Sequence, residues 1–331
     1  MTLKQNYKPH AGLLLFFLLL FYLDGYTQRI YLSGQDAAHA VPWDFKISTG
    51  RHSGVWTTLP VPSNWELRGF GYYTYAADHN GYQEDPEIGF YKHTFELRDI
   101  ANKRYRLTFA GSMTDTHVKI NGKSAGAVHR GGFMQFHYDI TSLIKEGENL
   151  IEVEVHKSSE DENIQIAERT SDFWLFGGIF RPVYIDVLPK EFIERVAIDA
   201  RMDGDFKMDV YLDGIHDADQ LVATVRDDRG NAVGKPIKMK VAPGDSVLRL
   251  TERFENIRQW SHEFPNLYRA DIALFSGKTQ VHLYKQKFGF RTFEVRDHDG
   301  FYLNGKRILL KGMAMHSIRP ETGRALSKED M

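Results

Sequence analysis

The sequence contains no cysteine. That absence excludes disulfides, thiolate metal centres and a lipid-modified cysteine anchor, so stability has to come from packing alone. Charge of one sign is missing too. With 42 Lys and Arg against 44 Asp and Glu the formal charge is −2, which gives no electrostatic basis for binding nucleic acid or an anionic membrane. A neutral ligand is compatible with that balance. No apolar run reaches the roughly 20 residues that a helical membrane span needs. The run from Leu13 to Leu23 follows Lys4 and Lys8 and stops at Asp24-Gly25, the layout of a secretory signal peptide. The expectation is a signal peptide over residues 1–27 and a secreted or periplasmic protein with no stable span after cleavage. An uncleaved anchor is the alternative.

Helical periodicity is nearly absent as well. In its place are short alternating runs broken by Gly, Asn and Asp, the period-two pattern of strands with one buried face. Tyr105, Leu107 and Phe109 interleave with polar residues; Val118-Lys119-Ile120 meets Asn121-Gly122, a strong two-residue hairpin signal. Ile151-Val153-Val155 and Val183-Ile185-Val187 continue the pattern, and together these predict an antiparallel sandwich over residues 28–190. A second set runs through Val196-Ile198, Met208-Val210-Leu212, Leu221-Ala223-Val225, Val247-Leu248-Leu250 and Ile272-Leu274. About seven short strands in residues 191–292 fit an immunoglobulin-like sandwich. Residues 293–331 differ in texture. Phe301-Tyr302-Leu303 turns through Asn304-Gly305 into Ile308-Leu309-Leu310, a run expected to be buried on both faces, and Ser327-Lys328-Glu329-Asp330 reads as a helix start with Ser as N-cap. This βα unit has nothing to close against, so the chain is expected to be truncated there, with residues 301–331 poorly ordered or loosely packed on the second domain.

Blocks of residues spread along nearly all of the chain carry a resemblance. Pro62-Ser63-Asn64-Trp65, Gly89-Phe90-Tyr91 and Asn121-Gly122-Lys123 come first; Asp172-Phe173-Trp174 with Gly177-Gly178-Ile179-Phe180-Arg181-Pro182-Val183 is the most specific. Trp260, Leu267-Tyr268 and Phe288-Gly289-Phe290-Arg291 follow, and then Leu303-Asn304-Gly305-Lys306, Leu310-Lys311-Gly312 and His316. In this order they resemble glycoside hydrolase family 2, the β-galactosidase/β-glucuronidase superfamily. The resemblance implies an all-β front end, a galactose-binding-like jelly roll followed by an immunoglobulin-like sandwich, leading into the first βα unit of a (β/α)8 barrel. It implies a retaining exo-glycosidase acting on terminal β-linked sugars through two glutamates about 5 Å apart. The family places both in later barrel strands, beyond Met331, so this chain alone is expected to be inactive, and Glu66, Glu84 and Glu87 are not assigned to those roles. β-Galactoside is the first substrate class, with β-glucuronide and β-mannoside behind it. A non-catalytic carbohydrate-binding or interaction protein is the competing class. The expected partner is a carbohydrate; a homo-oligomer, or a partner chain supplying the barrel, is compatible. No cofactor and no metal is called for.

Three residues are candidates for touching the sugar. Asp172 matches a family aspartate that accepts hydrogen bonds from sugar hydroxyls, a task suited to acceptor-only oxygens; a turn carboxylate is the other reading. His316 matches a family histidine at the functional rim of the barrel, against an ordinary surface histidine. Tyr75 stands where the galactosidase pattern has an Asn, so the loop running on to His79-Asn80-Gly81 either stacks a ring on the sugar or is anchored by a buried Tyr. Trp65, Trp174 and Trp260 are read as core-packing or inter-domain residues ahead of carbohydrate platforms, Gly177-Gly178 as a bulge or close backbone approach and not a phosphate cradle, and Glu160-Asp161-Glu162 as a solvated run ahead of a cation site.

Overall fold

The computed structural model describes residues 27–75, 87–327 and 329–330. The signal-peptide expectation, Glu84 and the His79-Asn80-Gly81 loop therefore lie outside the described residues, apart from Thr27.

In chain order the first set of strands is β1 (Gln28–Tyr31), β2 (Val41–Ile47), β3 (Thr57–Val61), β4 (Thr74–Tyr75), β5 (Ile88–Leu97), β6 (Lys103–Phe109), β7 (Asp115–Ile120), β8 (Lys123–Ser124), β9 (Phe136–Asp139) and β10 (Gly147–His156). Helix α1 (Glu162–Arg169) follows, then β11 (Trp174–Leu175) and β12 (Val183–Pro189). They pair into a four-stranded sheet, β1-β12-β6-β9, a six-stranded sheet, β3-β2-β5-β10-β7-β8, and the small ladder β11-β4. Alternate residues of the two large sheets, among them Phe45, Tyr91, Leu107, Val153 and Ile185, meet in one buried core. Burial of each such side chain contributes about 1.5–3 kcal/mol. This is the expected jelly roll.

The second set is β13 (Phe192–Ala200), β14 (Asp205–Asp213), β15 (Gln220–Arg226), β16 (Ile237–Lys240), β17 (Val247–Arg253), β18 (Tyr268–Ser276) and β19 (Thr279–Phe288). Sheets of three and four strands, β13-β14-β17 and β16-β15-β18-β19, enclose a second core around Phe206, Met208, Leu221 and Ile272, an immunoglobulin-like sandwich. The two sandwiches meet at Phe192, whose ring lies under the Arg104 and Arg106 guanidiniums at 5.2 and 5.5 Å. Arg104 bridges Asp139 and Asp213 across this joint, at 2.8 and 2.7 Å.

Both Asn-Gly signals close hairpins. Asn121 and Gly122, with φ of 51° and 78°, join β7 to β8; Asn304 and Gly305, with φ of 50° and 74°, join β21 (Gly300–Leu303) to β22 (Lys306–Ile308), the left-handed pair that a tight hairpin turn requires. The structure departs from expectation in this last region. With β20 (Phe293–Arg296) these strands form an antiparallel meander. Strand β22 ends at Ile308, and Leu309 and Leu310 are 79% and 60% exposed, because no described neighbour pairs with them or covers them. The following residues do not rest loosely on the second sandwich. Arg324 N donates to Asn64 Oδ1 at 2.8 Å, and Ala325 is buried with Met113 and Phe180 of the jelly roll. Ser327 and Asp330 exchange backbone-to-side-chain hydrogen bonds of 2.8 and 3.2 Å, the reciprocal pattern of a capping box.

Helix α1 is a second departure. Its N-cap, Asp161, accepts from Asn163 N and Ile164 N at 3.0 and 3.2 Å, so the acidic run is part cap and not only solvated. Its buried face is polar. Gln165 Oε1 accepts from Ser159 N at 2.7 Å and Arg169 Nη2 donates to Phe176 O at 2.9 Å. A helix buried through a Gln and an Arg does not mark its buried positions with apolar residues.

Candidate functional site

A buried charged cluster lies beneath the most specific sequence block. Lys157, at the end of β10, places Nζ 2.6 Å from Glu87 Oε2 and 3.1 Å from Glu66 Oε1, and all three side chains are sealed from solvent. Among the described residues two carboxylates face this one ammonium, and burial penalises the charged form of each carboxylate. Burial, reinforced by Glu87 and opposed by Lys157, pushes the Glu66 carboxyl up to about 7. Three of the cluster's polar atoms also grip the backbone. Lys157 Nζ donates to Tyr72 O at 2.8 Å, Tyr72 N donates to Glu87 Oε1, and Gly177 N donates to Glu66 Oε1 at 2.9 Å. Asn64 Nδ2 donates to Gly177 O at 2.8 Å. The cluster thus fixes the segments leading into β4 and out of β11, which pair with Tyr75 opposite Trp174.

Gly177 is required at this crossing. A Cβ there would lie 2.1 Å from Cζ2 of the fully buried Trp65, and Gly178, with φ of +105°, approaches Ser63 O and the Tyr91 hydroxyl. The Gly-Gly pair is a close backbone approach, one of the two readings its sequence allows.

Above the cluster the aromatic rings face outward. Trp174 is 42% and Tyr73 45% exposed. Trp174 stands edge-on to Tyr73 and Tyr75, with centroids 4.7 and 5.0 Å apart, and Tyr73 leans on Phe176 beneath. Trp65 packs in the core as expected and Trp260 is half-buried under Arg291. Trp174 does not follow that expectation: the two-residue ladder β4-β11 holds its backbone while its ring stays open to solvent. Tyr75 is half-buried in the same group, neither a sealed anchor nor a free ring.

Asp172 sits at the exposed tip of the turn before β11, where Phe173 N donates to Ser171 O at 2.9 Å. Among the described residues its carboxylate accepts only a 3.3 Å hydrogen bond from the Ser171 hydroxyl, which leaves acceptor capacity facing solvent. His316 is exposed, with its ring 6.0 Å from Phe173. Tyr75, Asp172 and His316, far apart in sequence, therefore border one loop: Tyr75 through Trp174, His316 through Phe173, with Asp172 next to Phe173.

Beside this loop lies a cleft of about 420 Å³ lined by Asp36, Phe133, Arg181, His316 and Arg324 among others. The Arg324 guanidinium lies 4.9 Å from the Phe133 ring and 5.3 Å from that of Phe173. Burial pulls both Arg181 and Arg324 below the usual guanidinium range, and Arg181 lowers Arg324 further by repulsion. Among the described residues neither guanidinium pairs with a carboxylate. Lys157 and Arg324 were not singled out from sequence. Lys157 follows an alternating strand as any surface lysine would, and Arg324 reaches the site only because its segment folds back onto Asn64.

Residues 36–189 match the family model described as "Glycosyl hydrolases family 2, sugar binding domain", and residues 191–291 that described as "Glycosyl hydrolases family 2". The putative β-glucuronidase of Formosa agariphila is 29% identical over 98% of this chain and 41% of its own length. A β-galactosidase of Clostridium acetobutylicum is 34% identical over 74% of this chain and 27% of its own. Among solved structures, a putative β-galactosidase from Bacteroides fragilis superposes with a TM-score of 0.71 at 23% identity, covering 92% of this chain and 47% of that one. The Bifidobacterium dentium β-glucuronidase complexed with coumarin-3-O-glucuronide gives 0.70 at 20% identity, over 91% and 54%. The chain spans less than half the length of the curated relatives named here.

Proposed function

Because the chain belongs to glycoside hydrolase family 2, we propose that it supplies the sandwich domains and one wall of the sugar pocket of a retaining exo-glycosidase that acts on terminal β-linked sugars, β-galactosides first. The observation that carries this reading is the gathering of Tyr75, Asp172 and His316 around one exposed aromatic loop. In it, the Asp172 carboxylate accepts hydrogen bonds from sugar hydroxyls, His316 contributes a ring nitrogen from the facing segment, and Trp174 with Tyr75 offers an apolar face to the sugar ring. Glu66 and Glu87 are committed to Lys157 and closed to substrate, which supports leaving both out of the acid/base and nucleophile roles. Export is part of the same reading, supported by the apolar run that follows Lys4 and Lys8. The test is hydrolysis of an aryl β-galactoside and an aryl β-glucuronide by the purified 331-residue chain. None is expected, and turnover would overturn the assignment.

A second reading, β-glucuronide specificity, is favoured by Arg181 and Arg324. Two guanidiniums with no carboxylate partner among the described residues, one of them near the Phe173 ring, suit a uronic acid carboxylate. Tighter binding of glucuronate than of galactose, lost in Arg324→Ala, would select it; the reverse order would select the galactoside.

A further inference from the structure

The outer face of the six-stranded sheet carries a group that the sugar site does not use. Glu154 and His156 are two apart on β10 and so project to the same side, while Val153 and Val155 turn into the core. On the neighbouring strand β7, His117 stands directly opposite Glu154. His156 Nε2 lies 2.8 Å from Glu154 Oε1, and the His117 and His156 rings lie 5.2 Å apart at an interplanar angle of 28°. One ligating atom from each of the three residues falls within 4.8 Å of the others, and all three side chains are half-buried.

We infer that His117, Glu154 and His156 form a binding site for a divalent transition-metal ion, zinc by its donor set. Two imidazole nitrogens and one carboxylate oxygen are a three-ligand zinc set, with the remaining position open to water. Such ligands sit about 2.0–2.1 Å from the ion, so their donor atoms end a little over 3 Å apart. Side-chain rotation closes that difference, because the paired backbones of β7 and β10 already hold the three residues on one face. Magnesium and calcium, which prefer all-oxygen shells, are disfavoured by the two imidazoles. The neighbouring ammonium of Lys92 is engaged with Glu152 at 3.2 Å and does not compete for Glu154. The ligands come from two strands well separated in the chain, so no linear motif announces them.

The test is calorimetric titration of the chelator-treated 331-residue chain with zinc chloride, beside His117→Asn, Glu154→Gln and His156→Asn. His137→Asn, which alters an exposed histidine of the opposite sheet, is the control. One zinc per chain is expected with a dissociation constant of about 10 µM or tighter, weakened at least tenfold in each of the three variants, unchanged in the control, and with no heat from magnesium. Zinc binding weaker than about 100 µM in the parent chain, or affinity retained in the variants, would overturn the proposal. Should the variants fail to fold, the cobalt-substituted parent chain decides: visible d–d bands that zinc abolishes support the site, and their absence refutes it.

Discussion

Lys157 Nζ lies 3.1 Å from Glu66 Oε1, with neither side chain exposed to solvent. The pair, completed by Glu87, joins β10 to the backbone at Tyr72 and Gly177. Removing its cation takes the ammonium from between two buried carboxylates, and breaking a buried pair in this way costs about 3–5 kcal/mol. Lys157→Met is expected to lose that much in a urea unfolding curve. A loss under about 1 kcal/mol, the range of an exposed ion pair, would show that the cluster is not the support described.

The same cluster sets a pH dependence. Glu66 titrates near 4.5 when unfolded and is pushed up to about 7 by burial, so between these values the folded chain holds a proton that the unfolded chain has released. Stability from this group falls as pH rises through that window. His282 acts oppositely: burial pulls it from 6.5 down to about 4, so its contribution is lost as pH falls through that range. Glu66→Gln removes the first effect and keeps the second. Its melting temperature relative to the parent chain is expected to climb as pH rises from 5 to 7.5. A difference that stays flat would mean that Glu66 is ionised in the fold.

Gly177→Ala places a methyl 2.1 Å from the Trp65 ring. Neither the ring, fixed in the core, nor the backbone, held by Asn64 and Glu66, can yield without loss, and overpacking of this kind costs about 1–3 kcal/mol. Thermal unfolding measures it; a variant as stable as the parent would contradict the close approach.

Much of this was legible in the sequence. Alternation placed Tyr105 to Phe109, Val118 to Ile120 and the strands of the second sandwich, because each has one buried face, and both Asn-Gly turns close hairpins. The Gly177-Gly178 pair offered its close contact as one of two readings. What stayed hidden depends on long-range partners. Leu309 and Leu310 read as a buried strand, but no described neighbour covers them. Helix α1 buries Gln165 and Arg169, so apolar residues do not mark its buried positions. At the candidate site, Asp172, His316 and Tyr75 could each be named, yet their gathering around Phe173 and Trp174 follows from tertiary contacts, the β4-β11 ladder for Tyr75 and the return of Arg324 to Asn64 for the segment that carries His316. The exposure of Trp174 was invisible because composition does not distinguish a ring held by a two-residue ladder from one in a core.

Trp174→Ala separates surface role from support. With 42% of its surface exposed, its removal is expected to cost about 1 kcal/mol of stability or less, apart from the edge-on contacts with Tyr73 and Tyr75. Binding of a β-galactoside should weaken at least fivefold, read by saturation-transfer NMR. Unaltered binding would remove Trp174 from the sugar wall.

The most direct test of that wall is a chemical-shift map of the labelled 331-residue chain titrated with methyl β-D-galactoside and then methyl β-D-glucuronide. The account predicts shifts confined to Tyr75, Asp172 to Trp174 and His316, spreading to Arg324 for the uronic acid. Shifts centred elsewhere, for example on the exposed Trp56 face of the six-stranded sheet, with those residues unmoved, would contradict it.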